Sequence, residues 1–440
     1  MLGKIISALI VGYIDILNLA VAAESLDLID SYRLAVERDA AYIASGFEEL
    51  ASRESEAQRL AQLLPKLSIG AQSTRLDVRH EAAGGELRRR GTSESYGIHF
   101  SQPIFNWKDW VGYKQGSKQK ALGRVRYEIA SQDLKLNVVR SYFEAVTAMG
   151  VLESLDSLSA SLKVQLESAK MHFETGNGAI AEVNEAQASY DANLASIVQG
   201  KSDLSAARFK LEKLIGVFPE DLVRMADHSP VQELPESTVE EFQKAARAFN
   251  LRVQEYELLR DIAENNKEIA FSDHLPTLEL VASHTMQQNP SAGITQSDSN
   301  MVGVRFSLPL YSGGGVSSRH RQATAYYQQS SYELLDIYRQ VSVEVNQAWS
   351  ELVDGIALIR ALEAAKKSAI SSVESNQLGY RIGVRMGIDV LDAQSRLSDV
   401  RQQLTRARYE TLLAQLRLKS TVGNLSEADL LVVNNQLRQQ

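Results

Sequence analysis

The chain writes one of its own stretches twice. Tyr380 to Ala393, YRIGVRMGIDVLDA, has a counterpart 207 residues earlier, so that Gly383 falls on Gly176, Tyr380 on Phe173, Asp389 on Glu182, Asp392 on Glu185 and Ala393 on Ala186. The same offset continues without a gap through Ala207 and Ala414, Leu211 and Leu418, and Gly216 and Gly423. Each copy reads as a helix, a glycine-marked turn and a second helix. A duplication of this size in 440 residues favours one fold built from two halves over a string of unrelated domains.

The order of elements around each hairpin follows from periodicity. Leu26 to Leu63 has a helical pattern that Leu64-Pro65 ends; Leu67, Ile69 and Ala71 then alternate with Ser68, Gly70 and Gln72, the period of a strand with one apolar face. A polar segment, His80 to Glu94, reads as a hairpin tip. Beyond it Tyr96, Ile98 and Phe100 alternate with Gly97, His99 and Ser101 up to Pro103. A helix of about 70 residues follows, to Glu174, striped by Leu155, Leu158, Leu162, Leu166, Ala169 and Phe173; at 1.5 Å per residue it extends about 100 Å. After the turn at Gly176, Ala179 to Ile215 returns.

The second half repeats the sequence of events. Thr238 to Ser272 is helical, His274-Leu275-Pro276 matches Leu63-Leu64-Pro65, and Thr277 to Gln287 and Asn300 to Leu308 alternate as strands. A long helix runs from Val316 to Arg381 and its partner from Met386 to Thr421. Residues 1–22, with Lys4, the apolar run Ile5 to Ile14 and Ala20-Val21-Ala22, read as a signal peptide, leaving 23–235 as the first repeat and 236–440 as the second.

No stretch beyond the signal is apolar enough to span a bilayer as a helix, so any membrane insertion has to be as a barrel. Four strands of about ten residues, with one apolar and one small or polar face, suit an outer-membrane barrel. They cannot satisfy their own edges in one copy. Three copies supply twelve strands and bundle the long helices about the same axis. Formal charge is −8, which weighs against nucleic acid, and the absence of cysteine fits an envelope protein. The seven histidines show no paired metal spacing and there is no Gly-x-Ser-x-Gly elbow, so neither an enzyme, a metal site nor a cofactor is expected.

With this order in hand, the sequence resembles the TolC family of outer-membrane channel proteins over nearly the whole mature chain. The resemblance is carried by Gly383-Val384-Arg385 with Ile388 to Ala393, by Phe306-Ser307-Leu308-Pro309-Leu310 and Phe100-Ser101-Gln102-Pro103-Ile104-Phe105, by His274-Leu275-Pro276-Thr277-Leu278, and by Asp429-Leu430-Leu431 with Asn434-Asn435. It implies a mostly α chain with a β-barrel portion. That chain forms a homotrimer whose twelve-stranded barrel lies in outer-membrane lipid and continues into a long periplasmic helical tunnel. It further implies a passive duct, docked to a periplasmic adaptor and an inner-membrane pump or ABC exporter, that exports drugs or proteins without chemistry of its own.

The resemblance also implies that Asp389 and Asp392 line the closed periplasmic entrance, with Glu182 and Glu185 at the equivalent turn, and that Tyr380 and Arg385 latch it. Two departures stand out. A threonine and aspartate of the family pattern are here Ala181 and Glu182, and Glu185 is an acid where the best-known member carries an amide. Read without the family, acids in a first helical turn only compensate the helix dipole. The rival reading is a periplasmic coiled-coil spacer or surface receptor anchored by its strands, which needs no acid and glycine turn at the helix tips.

Three further motifs have two readings each. Arg88-Arg89-Arg90 is either a solvated loop tip or a site for lipopolysaccharide phosphates. Gly313-Gly314-Gly315 lacks the Gly-Lys-Ser/Thr ending of a phosphate loop and is better read as a strand-to-helix junction. Trp107 and Trp110 mark either the membrane interface or ordinary packing.

Overall fold

The computed structural model describes residues 25–82, 85–225, 237–291 and 294–438. The expected signal peptide, 1–22, and the expected boundary between repeats at 235/236 lie outside the described residues. Helices α1 (Leu28–Arg38) and α2 (Ala40–Leu60) lead into strands β1 (Lys66–Ala82) and β2 (Gly85–Phe105), then α3 (Trp107–Glu174) and α4 (Ile180–Ile215). The chain goes on through α5 (Val239–Phe249), α6 (Leu251–Ser272), β3 (Thr277–Ser291), β4 (Ile294–Ser307), α7 (Gly315–Arg381) and α8 (Gly387–Thr421), and ends in α9 (Glu427–Arg438). The fold is mostly helical.

Two helices expected to be continuous are each broken by a capping side chain. Asp39 accepts from the Tyr42 N–H at 2.7 Å and starts α2; Asn250 accepts from the Arg252 and Val253 N–H groups at 2.9 and 3.1 Å and starts α6. Both residues have extended backbone, so one helix ends and another begins at a new angle without losing its first N–H partners.

The strands form one antiparallel sheet in the order β1-β2-β3-β4. They contain 17, 21, 15 and 14 residues, longer than the ten or so expected. In β1 and β2 the extra length comes from the segment read as a polar tip, which continues the ladder through Asp77↔Arg90, Val78↔Arg89 and Arg79↔Arg88. Arg88, Arg89 and Arg90 thus lie on a strand and not at a loop tip. Charge does not break the ladder here because a cross-strand partner is at hand: Arg90 Nε donates to Asp77 Oδ2 at 3.0 Å.

Register puts most apolar residues of the four strands on one face. Leu67, Phe100, Ala282 and Val302 form one row across the sheet, and Leu278 and Phe306 pair further along. This face is open: Ile69 is 81% and Val302 79% exposed in the single chain. Strands β1 and β4 each have one unpaired edge.

Below the sheet α3 and α7, of 68 and 67 residues, each run about 100 Å. Helix α3 packs on α4, α7 on α8, and α8 also lies along α3, so the two hairpins form one layer of helices. Among the described residues the largest buried cluster joins the first and last helices to the middle of the chain, with Leu28 of α1, Tyr142 of α3, Leu211 of α4, and Leu430 and Leu437 of α9. Toward the hairpin tips the core narrows to Leu162, Leu166, Ala169, Ala186 and Leu391. The expected stripe on α3 is buried at Leu155, Leu162, Leu166 and Ala169, whereas Phe173 is 45% exposed, past the point where α4 can cover it.

Candidate functional site: the two helix tips

Both hairpins turn by the same backbone device. Gly176 and Gly383 have φ of +74° and +73°, the left-handed conformation that glycine adopts without strain. On the first tip the Gly176 N–H donates to the Phe173 carbonyl and the Asn177 N–H to that of His172; on the second, Gly383 donates to Tyr380 and Val384 to Gly379. These bonds satisfy the last carbonyls of α3 and α7, and the chain reverses in a few residues.

The acids occupy the helix starts that follow. Asp389 is half-buried, and its carboxylate accepts from the Met386 N–H at 3.2 Å, so it serves the start of α8; Asp392, three residues on, is exposed. At the start of α4 Glu182 is half-buried and Glu185 exposed. Arg385 has its carboxylate neighbour within its own tip, 3.9 Å from Asp389, and is largely exposed. Within one chain, therefore, the arginine and the acid of the second tip meet each other. Being exposed and long, this pair contributes little to stability.

Tyr380 reaches the other hairpin. Its hydroxyl lies 3.1 Å from Nδ1 of His172 on α3, with ring centroids 5.6 Å apart. A second α3 side chain faces the same seam: a Cβ built on Gly387 would lie 3.3 Å from Nε2 of Gln165 and 3.6 Å from the Tyr380 ring. Gln165 is buried, and among the described residues its Nε2 has no hydrogen-bond partner. Sequence reading missed both residues. Their spacing of seven, which puts two polar groups on the buried face of a coiled-coil helix, was the available signal.

The other motifs fall away from the tips. Gly313 and Gly314 take φ of +61° and +78° where β4 passes into α7. Trp107 Nε1 donates to Glu268 of α6 at 3.0 Å, a packing role, while Trp110 is half exposed.

The chain thus combines a sheet with one exposed apolar face and open edges with two long helical hairpins. The model of the outer membrane efflux protein family matches residues 32–217 and again 243–424. The chain belongs to the outer membrane efflux protein family. It is 32% identical to the outer membrane protein TolC of Escherichia coli (strain K12) over 415 residues, which cover 92% of this chain and 81% of that protein. It is 29% identical over 423 residues to the proteases secretion protein PrtF of Dickeya chrysanthemi, covering 93% and 91%. The fold is that of the outer membrane protein VceC from Vibrio cholerae, with a TM-score of 0.78 over 90% of this chain and 96% of that one at 16% identity. As a family member the protein is an efflux duct of the outer membrane that extends into the periplasm.

Proposed function

We propose that three copies assemble into a passive export duct, with a twelve-stranded barrel in the outer membrane and a tunnel of paired helices below it. The observation that carries this reading is the sheet. Its exposed apolar face suits hydrocarbon, and the free edges of β1 and β4 have to be paired inside a bilayer, which a neighbouring copy does at each side. Among the described residues no helix is long and apolar enough to cross a membrane.

The chain then divides into two repeats, 23–235 and 236–440, a division supported by the recurring element order and by the two matches to one family model. The periplasmic end of the duct is formed by the hairpin tips. Asp389 and Asp392, with Glu182 and Glu185, ring the entrance, and Tyr380 and Arg385 hold it in its resting state. A periplasmic adaptor and an inner-membrane pump or ABC exporter load the duct from below with drugs or secreted proteins; the likeness to PrtF supports the second class and the likeness to the efflux protein BepC the first. The duct itself carries out no chemistry.

The test is direct. Purified protein in detergent should run as a trimer and conduct ions in a planar lipid bilayer, and a water-soluble monomer without conductance would sink the reading.

A further inference from the structure

The two tips are not copies of each other at one pair of positions, and the difference is reciprocal. His172 and Gly178 of the first tip correspond, at the offset of 207, to Gly379 and Arg385 of the second. In each tip these two positions, six apart, face one another across the turn. A Cβ built on Gly178 would lie 3.1 Å from Cβ of His172, and one built on Gly379 would lie 2.6 Å from Cγ of Arg385. There is room for only one side chain in each pair. The first tip places it on the outgoing helix, as His172; the second places it after the turn, as Arg385.

This choice decides what can bridge the hairpins. Because the first tip keeps its side chain on α3, an imidazole projects toward the second hairpin, and Tyr380 meets it at 3.1 Å. Phe173, the counterpart of Tyr380, has no hydroxyl, and Gly379, the counterpart of His172, has no side chain, so the bond exists in one direction only.

Resting on the duct reading above, we infer that His172 is a positioning residue of the periplasmic entrance: its imidazole holds the Tyr380 hydroxyl and keeps the tip of the α7–α8 hairpin against α3. Opening the entrance breaks this bond, and Gln165, two turns back on the same face of α3, adds to the seam a buried amide nitrogen that has no partner among the described residues.

The test uses the full-length trimer in planar bilayers. Phenylalanine at 172 keeps a ring and removes the hydrogen bond; asparagine restores an amide atom where Nδ1 stood. One net hydrogen bond corresponds to roughly fivefold in an equilibrium. His172→Phe should therefore raise open-state occupancy about fivefold, His172→Asn should return it toward wild type, and Tyr380→Phe should raise it as much as His172→Phe, with no further rise in the double variant. Should His172→Phe fail to assemble, His172→Gly copies the second tip, which already has glycine at this position, and should give the same rise. If assembled His172→Phe and His172→Gly conduct as wild type while Arg385→Ser conducts more, or if the His172 and Tyr380 effects multiply, the inference is overturned and the duct reading survives. Absence of conductance in every assembled trimer overturns both.

Discussion

Asp27 Oδ2 lies 2.6 Å from a guanidinium nitrogen of Arg438, a contact between residues 411 positions apart. Asp27 is fully buried, caps α1 through the Asp30 N–H at 2.8 Å, and also accepts from Asn434 Nδ2 at 2.9 Å. The first and last described helices are in this way tied through one carboxylate. The tie has two counterparts nearby: Asn434 Oδ1 accepts from the Leu28 N–H, and the Tyr142 hydroxyl donates to backbone carbonyls of Leu26 or Val223.

The first prediction concerns acid. Burial works to raise the Asp27 carboxyl, but the Asp30 N–H, Asn434 and Arg438 outweigh it and hold the group below its ordinary value of 3.8. A carboxyl depressed in the folded state contributes stability that is complete above the unfolded value and disappears as pH falls through the folded one. Thermal unfolding should therefore lose this contribution only below about pH 4. Asp27→Asn should lower stability by about 2 kcal/mol at pH 7 and flatten the acid limb of the profile. An unchanged acid limb would remove Asp27 from that role.

The second concerns two glycines of similar backbone and different surroundings. Gly383 (φ +73°) has nothing within 4 Å of a built Cβ, whereas at Gly423 (φ +81°) such an atom would lie 2.3 Å from the Phe249 carbonyl oxygen. Gly383→Ala should cost only the left-handed penalty, about 1–2 kcal/mol. Gly423→Ala should cost clearly more, because the break between α5 and α6 has to move. Comparison of the two melting temperatures checks the order.

The third addresses the acids of the entrance. In the proposed trimer, four carboxylates per chain near one level of the pore would attract cations, divalent ones above all. Multivalent cations added from the periplasmic side should block the channel, and Asp389→Asn with Asp392→Asn should relieve most of the block while trimers still form. Because Asp389 also accepts from the Met386 N–H, a modest loss of α8 stability, on the order of 1 kcal/mol, should accompany the double change. Block as strong as wild type would shift the role to Glu182 and Glu185.

The fourth addresses the latch. In a single chain Asp389 is the carboxylate neighbour of Arg385 among the described residues, at 3.9 Å; in the proposed trimer its fork of donors would reach an acid such as Glu182 of the partner subunit. Arg385→Ser combined with Tyr380→Phe should raise single-channel conductance above either change alone, since the two side chains have different partners. Equal conductance in the double and single variants would contradict that independence.

The residues themselves already carried the local features: the turn glycines Gly176 and Gly383, the long amphipathic helices on either side of them, and the alternation of Leu67, Ile69, Tyr96, Ile98 and Phe100. Each depends on neighbours a few positions away, through helical or two-residue periodicity and through backbone angles that glycine alone adopts freely. The offset of 207 extended this local reading to both halves at once. What only the tertiary structure decided depends on partners far along the chain. Strand length past His80 follows from the register that faces Asp77 with Arg90, and the place of α9 from a buried carboxylate 411 positions earlier in the chain. His172 belongs with these: its spacing of seven from Gln165 places it on the seam of α3, but only the packed hairpins bring it to Tyr380, 208 residues away.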